Sequence, residues 1–445
     1  MSSKKSNSIL LLGAGKSASY LIQYLSNWCA DKGVNFVIAD LFESALVRLS
    51  EITSKPFHAV LLKENDVELL ESTIASAEVV ISMLPVAFHY QVALLCIKNS
   101  KNLLTASYIL PELKLLEEEV KNKSLTFLFE CGLDPGIDHM SAFAMLSKIQ
   151  KKGEKVTSFI SSTGGLVDPL CEGDNPWQYK FTWNPRNVVL AGKDGAIFKN
   201  EGSIKEVTYK ELFSTALPLT WKGEEDLEIY ANRDSLQYQL LYGLKDADTF
   251  IRGTIRRAGY SSAWNVLVLL GMTDDEIVLA KCKTYREFLK CFVKESPFTR
   301  ALVEKEIGIT VSERDWNKIN SLSLDTNFVF VGNYKTAAQY LQAILEVKWV
   351  LKDTDKDWVL MQHRVKTVKD DVVKEYVSTL SVKGENKLFT AMSKTVGLPL
   401  AMAAILVYTK QWLNAGINVP SDPNLYNLLL LALEKEGIVF EEEEF

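Results

Sequence analysis

The first third of the chain alternates short apolar runs with longer segments whose apolar residues recur at helical spacing. These runs predict six strands, at residues 8–12, 35–39, 58–62, 78–81, 102–106 and 125–129. The segments between them predict helices, among them 42–52, 66–75, 86–97 and 112–122. Strands that alternate with helices of this length are typical of a doubly wound parallel sheet with helices on both faces.

The pattern changes after residue 130. Segments 156–161 and 188–191 predict strands joined by long connections rich in glycine, asparagine and proline, and about 264–345 is mostly helical. Strands return at 358–362 and 372–380, and an Ala/Leu/Met-rich helix follows. We therefore expect a second α/β domain with a mixed sheet and a helical insertion, and a C-terminal return to the first domain. The predicted domains are 1–134 with 390–445, 135–262 with 347–389, and the insertion 263–346; the acidic run 441–444 predicts a frayed end.

Composition excludes several classes of protein. The 445 residues suffice for two or three domains, and the net charge of −6 without a basic stripe argues against nucleic-acid binding. The 6 cysteines and 4 histidines are scattered, so we expect neither a disulfide framework nor a metal site. The apolar stretch 398–408 is too short to cross a bilayer, and residues 1–7 have no signal-peptide pattern. We expect a soluble cytoplasmic protein that binds no membrane.

A glycine-rich turn follows the first predicted strand and opens a helix. The first glycine of a G-x-G-x-x-A pattern allows a tight turn, and the second lets a pyrophosphate approach the backbone. The last small residue lets helix and strand pack closely, and the N–H groups of the helix N-terminus face the phosphates. In this context the pattern predicts a dinucleotide site formed by Gly13, Gly15, Lys16, Ser17 and Ala18.

An aspartate at the end of the second predicted strand bears on the choice of cofactor. Asp40 lies where a carboxylate accepts hydrogen bonds from a ribose 2′-hydroxyl and repels a 2′-phosphate, so NAD is preferred over NADP. The alternative is that Asp40 caps the helix that begins near Phe42. Lys16 and Lys63 lie in the same region of the sequence and would soften the rejection of a phosphate.

A larger set of motifs resembles one enzyme family. The run Gly132-Leu133-Asp134-Pro135-Gly136-Ile137-Asp138-His139 is similar to the signature of the saccharopine dehydrogenases that form glutamate. The resemblance extends in family order from residue 8 to beyond residue 400. Its further motifs are Ile81-Ser82-Met83-Leu84-Pro85, Gly164-Gly165, Asp174-Asn175-Pro176, Tyr179-Lys180-Phe181-Thr182-Trp183, Asn232-Arg233-Asp234-Ser235, Arg252-Gly253-Thr254-Ile255-Arg256 and Ala391-Met392-Ser393-Lys394-Thr395-Val396-Gly397.

The resemblance implies an NAD- or NADP-dependent oxidoreductase of lysine metabolism that dimerises through its middle domain. Glutamate and 2-aminoadipate 6-semialdehyde would condense to an imine, and hydride transfer would reduce it to saccharopine; the reverse reaction oxidises saccharopine. The first domain would bind the dinucleotide and the second the substrate. Two alternatives stay open: an imine reductase acting on another amino acid or a polyamine, and a catalytically silent NAD-binding protein.

The resemblance also implies site residues. It places cofactor contacts on Gly15, Lys16, Ser17, Ala18, Asp40, Leu84, Thr105, Ala106, Gly132, Leu133, Asp134 and Trp183. It places substrate contacts on Ser107, Asp134, Arg233, Thr254, Ile255 and Arg256. The chain departs from the family pattern at Ala106, at Lys63-Glu64, and at Thr163, where a cysteine often precedes the two glycines.

Elementary chemistry supports three of these residues. Saccharopine carries three carboxylates, and Arg233 and Arg256 offer permanently charged forks for them, unless each is a surface charge or half of an internal ion pair. Asp134 precedes a proline and follows the sixth strand, at the sheet edge where ligands bind in such folds. Asp134 is therefore the predicted catalytic residue, which orients the amine and relays a proton. A turn or helix cap is the alternative, which Asp138 supplies equally well.

Overall fold

The structure is a computed structural model that describes residues 7–222 and 224–445. Strands and α-helices are numbered in chain order. The strands are β1 Ser8–Leu12, β2 Asn35–Asp40, β3 His58–Leu61, β4 Val79–Ser82, β5 Asn102–Thr105, β6 Thr126–Leu128, β7 Lys155–Val167, β8 Ala196–Asn200, β9 Ser203–Val207, β10 Leu217–Trp221, β11 Glu224–Ala231, β12 Arg233–Asp234, β13 Thr249–Arg257, β14 Asp357–Lys369, β15 Val372–Lys383, β16 Gly416–Asn418 and β17 Phe440–Glu444.

The helices cluster between the first strands and again in the middle of the chain. They are α1 Ser19–Lys32, α2 Glu43–Val47, α3 Leu49–Ile52, α4 Val67–Ala75, α5 His89–Lys98, α6 Pro111–Lys114, α7 Glu117–Asn122, α8 Ile137–Lys151, α9 Pro185–Val189, α10 Tyr209–Leu212, α11 Leu236–Gln239, α12 Tyr260–Leu269, α13 Tyr285–Leu289, α14 Arg300–Ile307, α15 Glu313–Ser321, α16 Ala337–Lys348, α17 Ala391–Tyr408 and α18 Pro423–Lys435. Contacts divide the chain into two units: Met1–Lys152 with Ser381–Phe440, and Gly153–Leu380 with Glu441–Phe445.

The first unit is built on a 7-stranded parallel sheet with the strand order β16-β6-β5-β4-β1-β2-β3. All six strand pairs are parallel, and β1 lies between β2 and β4, where the order reverses. Every residue of β1 is buried, as continuous apolar strands covered on both faces should be. The predicted Rossmann-type sheet is confirmed, and β16 adds a seventh strand that the sequence did not predict.

The helices of this unit follow the predicted pattern with breaks. The predicted helix 42–52 forms as α2 and α3, and 112–122 as α6 and α7. Asp66 caps α4 by accepting a hydrogen bond from the backbone N–H of Leu69 (3.0 Å). The apolar stretch 398–408, predicted to be too short to cross a bilayer, is part of the longer helix α17. By length and composition α17 could cross a membrane, but 72% of it is buried inside the protein.

The second unit contains a mixed sheet with the order β10-β11-β13-β7-β14-β15-β17, and β8, β9 and β12 lie off this path. β7 pairs parallel with β13 and antiparallel with β14, so the predicted mixed sheet is confirmed. The predicted strand 188–191 is wrong, since residues 185–189 form α9. Asn184 accepts a hydrogen bond from the N–H of Arg186, and Pro185 occupies the first turn, so two helix-start signals override the β-propensity of the valines.

The predicted frayed end at 441–444 is also wrong. This segment forms β17 at the edge of the second unit's sheet, where Glu375 and Phe445 exchange backbone N–H···O hydrogen bonds of 3.0 and 2.8 Å. Lys374 of β15 forms an ion pair with Glu444 at 2.5 Å. The acidic tail is thus held by backbone pairing and by a basic side chain of the neighbouring strand.

Helices α12 to α16 cover the stretch predicted as a helical insertion. Their apolar residues belong to the core of the second unit, which includes the fully buried indoles of Trp177, Trp264 and Trp349. The first unit extends through α8 to Lys152, past the predicted boundary at 134, because α8 packs against α18. Division into three domains, dimerisation and cytoplasmic location stay predictions.

Candidate active site

In the first unit, the predicted cofactor residues lie in the loops that leave the carboxyl ends of the parallel strands. Gly13 directly follows β1 and has a φ of 94°, and its N–H donates to the carbonyl of Ala39 (2.8 Å). A Cβ at this position would come within 3.0 Å of backbone atoms of Met83, next to β4. The turn therefore needs glycine, and it lies at the switch point where this fold class binds ligands.

The next residues of the turn face outward. A Cβ on Gly15 would meet no atom of the described residues within 4 Å, which leaves this side of the backbone open to a ligand. Lys16 is exposed and Ser17 is half-buried, whereas Ala18 is fully buried just before α1. This arrangement matches the predicted roles of the glycine-rich turn: room for a pyrophosphate outside and a small residue packed inside.

Asp40 and Arg48 frame the same turn. The carboxylate of Asp40 is 7% exposed and accepts hydrogen bonds from the N–H groups of Ala14 (2.7 Å) and Phe42 (2.8 Å). Asp40 therefore fixes the glycine turn to the loop after β2, a role that neither sequence-based alternative included. The Nη2 of Arg48 donates to the carbonyls of Ala14 (2.8 Å) and Gly15 (3.0 Å), which places a cation at the edge of the turn.

The signature loop after β6 closes on itself. Gly136 has a φ of 147°, and its backbone passes so close to Gly132 that a Cβ would lie 2.1 Å from the Gly132 oxygen. The N–H of Gly132 donates to the carbonyl of Pro135 (2.9 Å), and the buried carboxylate of Asp138 accepts from the N–H of Gly136 (2.6 Å). His139, fully buried, lies 2.9 Å from the carboxylate of Glu130. Asp138 and His139 hold the loop's shape.

Thr105, Ala106 and Ser107 follow β5 beside this loop, and Leu84 follows β4. A Cβ on Gly132 would lie 2.8 Å from the Cβ of Ala106, so the two segments touch. Ser107 is half-buried, and its carbonyl accepts a hydrogen bond from the N–H of Glu130 (3.0 Å). The structure thus brings the predicted residues of the first unit to one edge of the sheet.

Asp134 has a hydroxyl partner that the sequence reasoning missed. The phenol of Tyr108 donates a hydrogen bond to Oδ1 of Asp134 (3.1 Å), and both side chains are half-buried. The carboxylate therefore lies at the sheet edge with a proton-bearing neighbour. Tyr108 directly follows Ser107, a predicted substrate contact, and this adjacency could have identified Tyr108 as a site residue from the sequence.

In the second unit, Arg256 lies in a cage of aromatic rings. Its side chain is 5% exposed, and its guanidinium carbon lies 5.3, 5.9 and 5.3 Å from the ring centres of Tyr179, Tyr230 and Tyr260. Its Nη1 donates to the carbonyl of Ile255 (2.9 Å). Burial raises the pKa of Tyr260 well above its ordinary value and raises that of Tyr179, so these phenols remain neutral near Arg256.

The cage leaves polar atoms unsatisfied. Across residues 7–222 and 224–445 the guanidinium of Arg256 has no carboxylate partner, and its buried Nε has no hydrogen-bond acceptor. The buried hydroxyls of Tyr179 and Thr163 also lack hydrogen-bond partners in the described part of the chain. Thr163 pairs in register with Thr254, on the same face of the sheet as Arg256. Because buried polar groups are normally satisfied, this cluster indicates a site for an anionic ligand.

The other site residues predicted in the second unit differ in burial and in the face of the sheet that they occupy. The side chain of Ile255 is fully buried in an apolar cluster on the opposite face from Arg256, so only its backbone can serve a substrate. Arg233 is exposed in β12 with a φ of 53°. Trp183 is half-buried and packs against the aromatic core of the unit. Thus the buried Arg256 and the exposed Arg233 occupy different environments.

Comparison with known proteins shows which family the chain resembles over nearly its full length. Residues 9–128 match the family model of the saccharopine dehydrogenase NADP binding domain, and residues 132–438 that of the saccharopine dehydrogenase C-terminal domain. The chain is 30% identical to saccharopine dehydrogenase [NADP(+), L-glutamate-forming] from Saccharomyces cerevisiae over 98% of each chain. It is 30% identical to mitochondrial alpha-aminoadipic semialdehyde synthase from Bos taurus, over 97% of this chain but 47% of that protein.

A solved structure gives the same result. Apo saccharopine dehydrogenase (L-Glu forming) from Saccharomyces cerevisiae superposes with a TM-score of 0.86 at 30% identity, covering 99% of this chain and 100% of the other. Sequence, domain models and fold agree over nearly the full length, and the predicted resemblance is confirmed. The chain belongs to the saccharopine dehydrogenase family.

Proposed function

We propose that this protein interconverts saccharopine with L-glutamate and 2-aminoadipate 6-semialdehyde as a nicotinamide-dependent oxidoreductase. The observation that carries the proposal is the buried guanidinium of Arg256, which has no counter-charge among the described residues. An uncompensated buried cation is costly, and a substrate carboxylate would compensate it. The names of the relatives supply the particular substrate and product.

We assign one set of residues to cofactor binding and another to substrate binding. The nicotinamide dinucleotide, when bound, supplies or accepts the hydride. The open backbone at Gly15 would receive its phosphates, and the loops after β4, β5 and β6 would line the rest of its site. The proposed cofactor residues are Gly13, Gly15, Lys16, Ser17, Ala18, Leu84, Thr105, Ala106, Gly132, Leu133 and Trp183.

Ser107, Thr254 and Arg256 would hold the polar groups of the substrate. Imine formation also requires water to leave and the amine to lose protons, and the reverse reaction requires water to attack the imine. Asp134 supplies a carboxylate for these transfers, and its hydrogen bond to the phenol of Tyr108 orients it. Arg233 would meet a second carboxylate from its exposed position in β12.

A spectrophotometric assay tests the function directly. We expect NADPH or NADH to be consumed with glutamate plus the semialdehyde, and NADP or NAD to be reduced with saccharopine. Omitting glutamate, or replacing it by putrescine, should abolish the rate. Turnover with a polyamine instead of glutamate, or no rate in either direction with either nicotinamide, would contradict the proposal.

Replacing Asp134 by asparagine should lower kcat by about 100-fold, because a positioned proton-transfer group contributes roughly that much or more. The amide oxygen can still accept from Tyr108, so loop shape and cofactor affinity should change little. Single-turnover and steady-state rates would be compared with those of wild type. An Asp134→Asn enzyme with an unchanged kcat would assign Asp134 to loop geometry alone.

For the cofactor, we propose that the enzyme uses NADPH. The names of the saccharopine dehydrogenases from Saccharomyces cerevisiae and Schizosaccharomyces pombe specify NADP(+), whereas the preference for NAD in the sequence analysis rested on Asp40 facing the ribose. Both oxygens of Asp40 accept backbone N–H groups, and Arg48 at the edge of the same turn supplies a cation for a 2′-phosphate.

Arg48→Met should then raise the KM for NADPH by about tenfold, the order expected for one charge-assisted hydrogen bond, and leave the KM for NADH nearly unchanged. The two constants would be measured in wild type and variant at saturating substrate. A wild-type enzyme with a lower KM for NADH than for NADPH contradicts this assignment and restores the role of Asp40 in selecting NAD.

A further inference from the structure

A hydrogen-bonded chain of three side chains joins the ends of β4 and β5 in the first unit. Ser82 is the last residue of β4 and His89 the first residue of α5, and both are fully buried. The Nδ1 of His89 lies 3.1 Å from the hydroxyl of Ser82, and its Nε2 lies 2.9 Å from the hydroxyl of Ser107. Ser107, two residues beyond β5, is half-buried at the sheet edge.

The imidazole in this chain is neutral near pH 7. Burial lowers the pKa of His89 from its ordinary value to about 4, with no carboxylate contribution to oppose it. A neutral imidazole has one N–H donor and one acceptor nitrogen, so the direction of the hydrogen bonds depends on the tautomer.

The hydrogen bond to Ser82 favours one of the two tautomers of His89. Its hydroxyl is buried and has His89 as its only side-chain hydrogen-bond partner within the described chain. If Nδ1 carried the proton, the Ser82 hydroxyl would accept that bond and its own proton would have no acceptor. With Nε2 protonated, the Ser82 hydroxyl donates to Nδ1 and Nε2–H donates to Ser107, so both buried donors have acceptors. A buried unsatisfied donor is costly enough to favour the second tautomer by about tenfold or more.

We propose that His89 is a positioning residue that holds the Ser107 hydroxyl with its proton directed toward the substrate. In the favoured tautomer Nε2–H donates to Oγ of Ser107, so the Ser107 proton is free to donate to a substrate carboxylate. In the opposite tautomer the Ser107 hydroxyl would donate to Nε2 and present only its lone pairs to the substrate, which repel a carboxylate. The inference rests on the proposed function in taking a carboxylate as the group that Ser107 meets.

The direction of the hydrogen bonds among Ser82, His89 and Ser107 can be measured without enzyme turnover. In free protein labelled with ¹⁵N-histidine, a long-range ¹H–¹⁵N spectrum at pH 7 should show the Nε2–H tautomer for His89. The signals are assigned by their loss in His89→Gln, among only 4 histidines. In Ser82→Ala the two ¹⁵N frequencies should move toward each other, because the hydroxyl that selects the tautomer is gone. A predominant Nδ1–H tautomer in wild type overturns the proposal.

Kinetics test the link to substrate. His89→Leu and Ser107→Ala should each raise the KM for glutamate about tenfold while the KM of the cofactor stays within twofold, and the double variant should be no worse than Ser107→Ala. His89→Gln, whose amide N–H can replace Nε2–H, should recover much of the loss and also serves if His89→Leu fails to fold. Additive losses in the double variant would overturn the positioning role. An absence of all turnover would refute the proposed function, and the NMR result would still decide the hydrogen-bond direction.

Discussion

Arg256→Met is expected to raise the KM for saccharopine and for glutamate about 100-fold or more, with cofactor affinity nearly unchanged. Truncating one partner of a buried charge pair typically costs that much or more. Arg256 is held by three tyrosine rings and one carbonyl, and lacks a carboxylate partner among the described residues. A bound carboxylate would therefore be its main counter-charge. Steady-state kinetics and fluorescence titration with NADPH would separate the two effects.

Arg257→Met is the matched control for this substitution. Arg257 is the next residue of β13, is equally buried, and forms an ion pair with Glu172 at 2.9 Å on the opposite face of the sheet. Its loss should lower the free energy of unfolding, because it leaves the Glu172 carboxylate with the amide of Gln178 but without this cation, and it should leave the substrate KM unchanged. Equal changes of KM in the two variants would mean that Arg256 is structural.

Much of the fold could be predicted because the inner strands of a parallel sheet are buried on both faces and appear in the sequence as continuous apolar runs. β1 to β6 form close to the predicted bounds, although β3 lies at the edge of the sheet and is largely exposed. β16 and β17 could not be found in this way. β16 has three residues and depends on β6 for pairing, and β17 is an acidic run stabilised by β15.

In the candidate site, too, features formed by residues adjacent in sequence were predictable, and features formed by distant segments were not. The glycine-rich turn is local in sequence, so its strained Gly13 and open Gly15 were predictable. The cage of Arg256 joins Tyr179, Tyr230 and Tyr260, which lie in separate segments and meet only in the folded unit.

Polar side chains of the first unit show the same limit. His89 lies in no recognisable motif, and its proposed role depends on its hydrogen bonds to Ser82 and Ser107, which follow from the folded structure. Asp40 was placed correctly, but the hydrogen bonds of its two oxygens to Ala14 and Phe42 required coordinates. A sequence pattern therefore identifies which residues reach the edge of the sheet, and only packing decides which atoms remain available there.

The second large effect is expected at the signature loop. Gly136→Ala should lower the free energy of unfolding by about 3 kcal/mol or more, since a strained backbone and a steric clash each contribute. Gly136 has a φ of 147°, and an added Cβ would lie 2.1 and 2.2 Å from the oxygen and nitrogen of Gly132. Relief of this clash requires the loop to open, which breaks the hydrogen bond from Gly132 to Pro135.

Because the opened loop carries Asp134 and touches Ala106, cofactor affinity should fall together with stability. Gly33→Ala is the control in the same unit: Gly33 also has a positive φ, 65°, but an added Cβ would meet no atom within 4 Å among residues 7–222 and 224–445. That variant should lose only about 1 kcal/mol from the left-handed backbone and bind NADPH normally. Urea unfolding and NADPH titration would compare them. If the two alanine variants behaved alike, the close approach of Gly136 to Gly132 would not be what shapes the loop, and the conformation of Asp134 would need another cause.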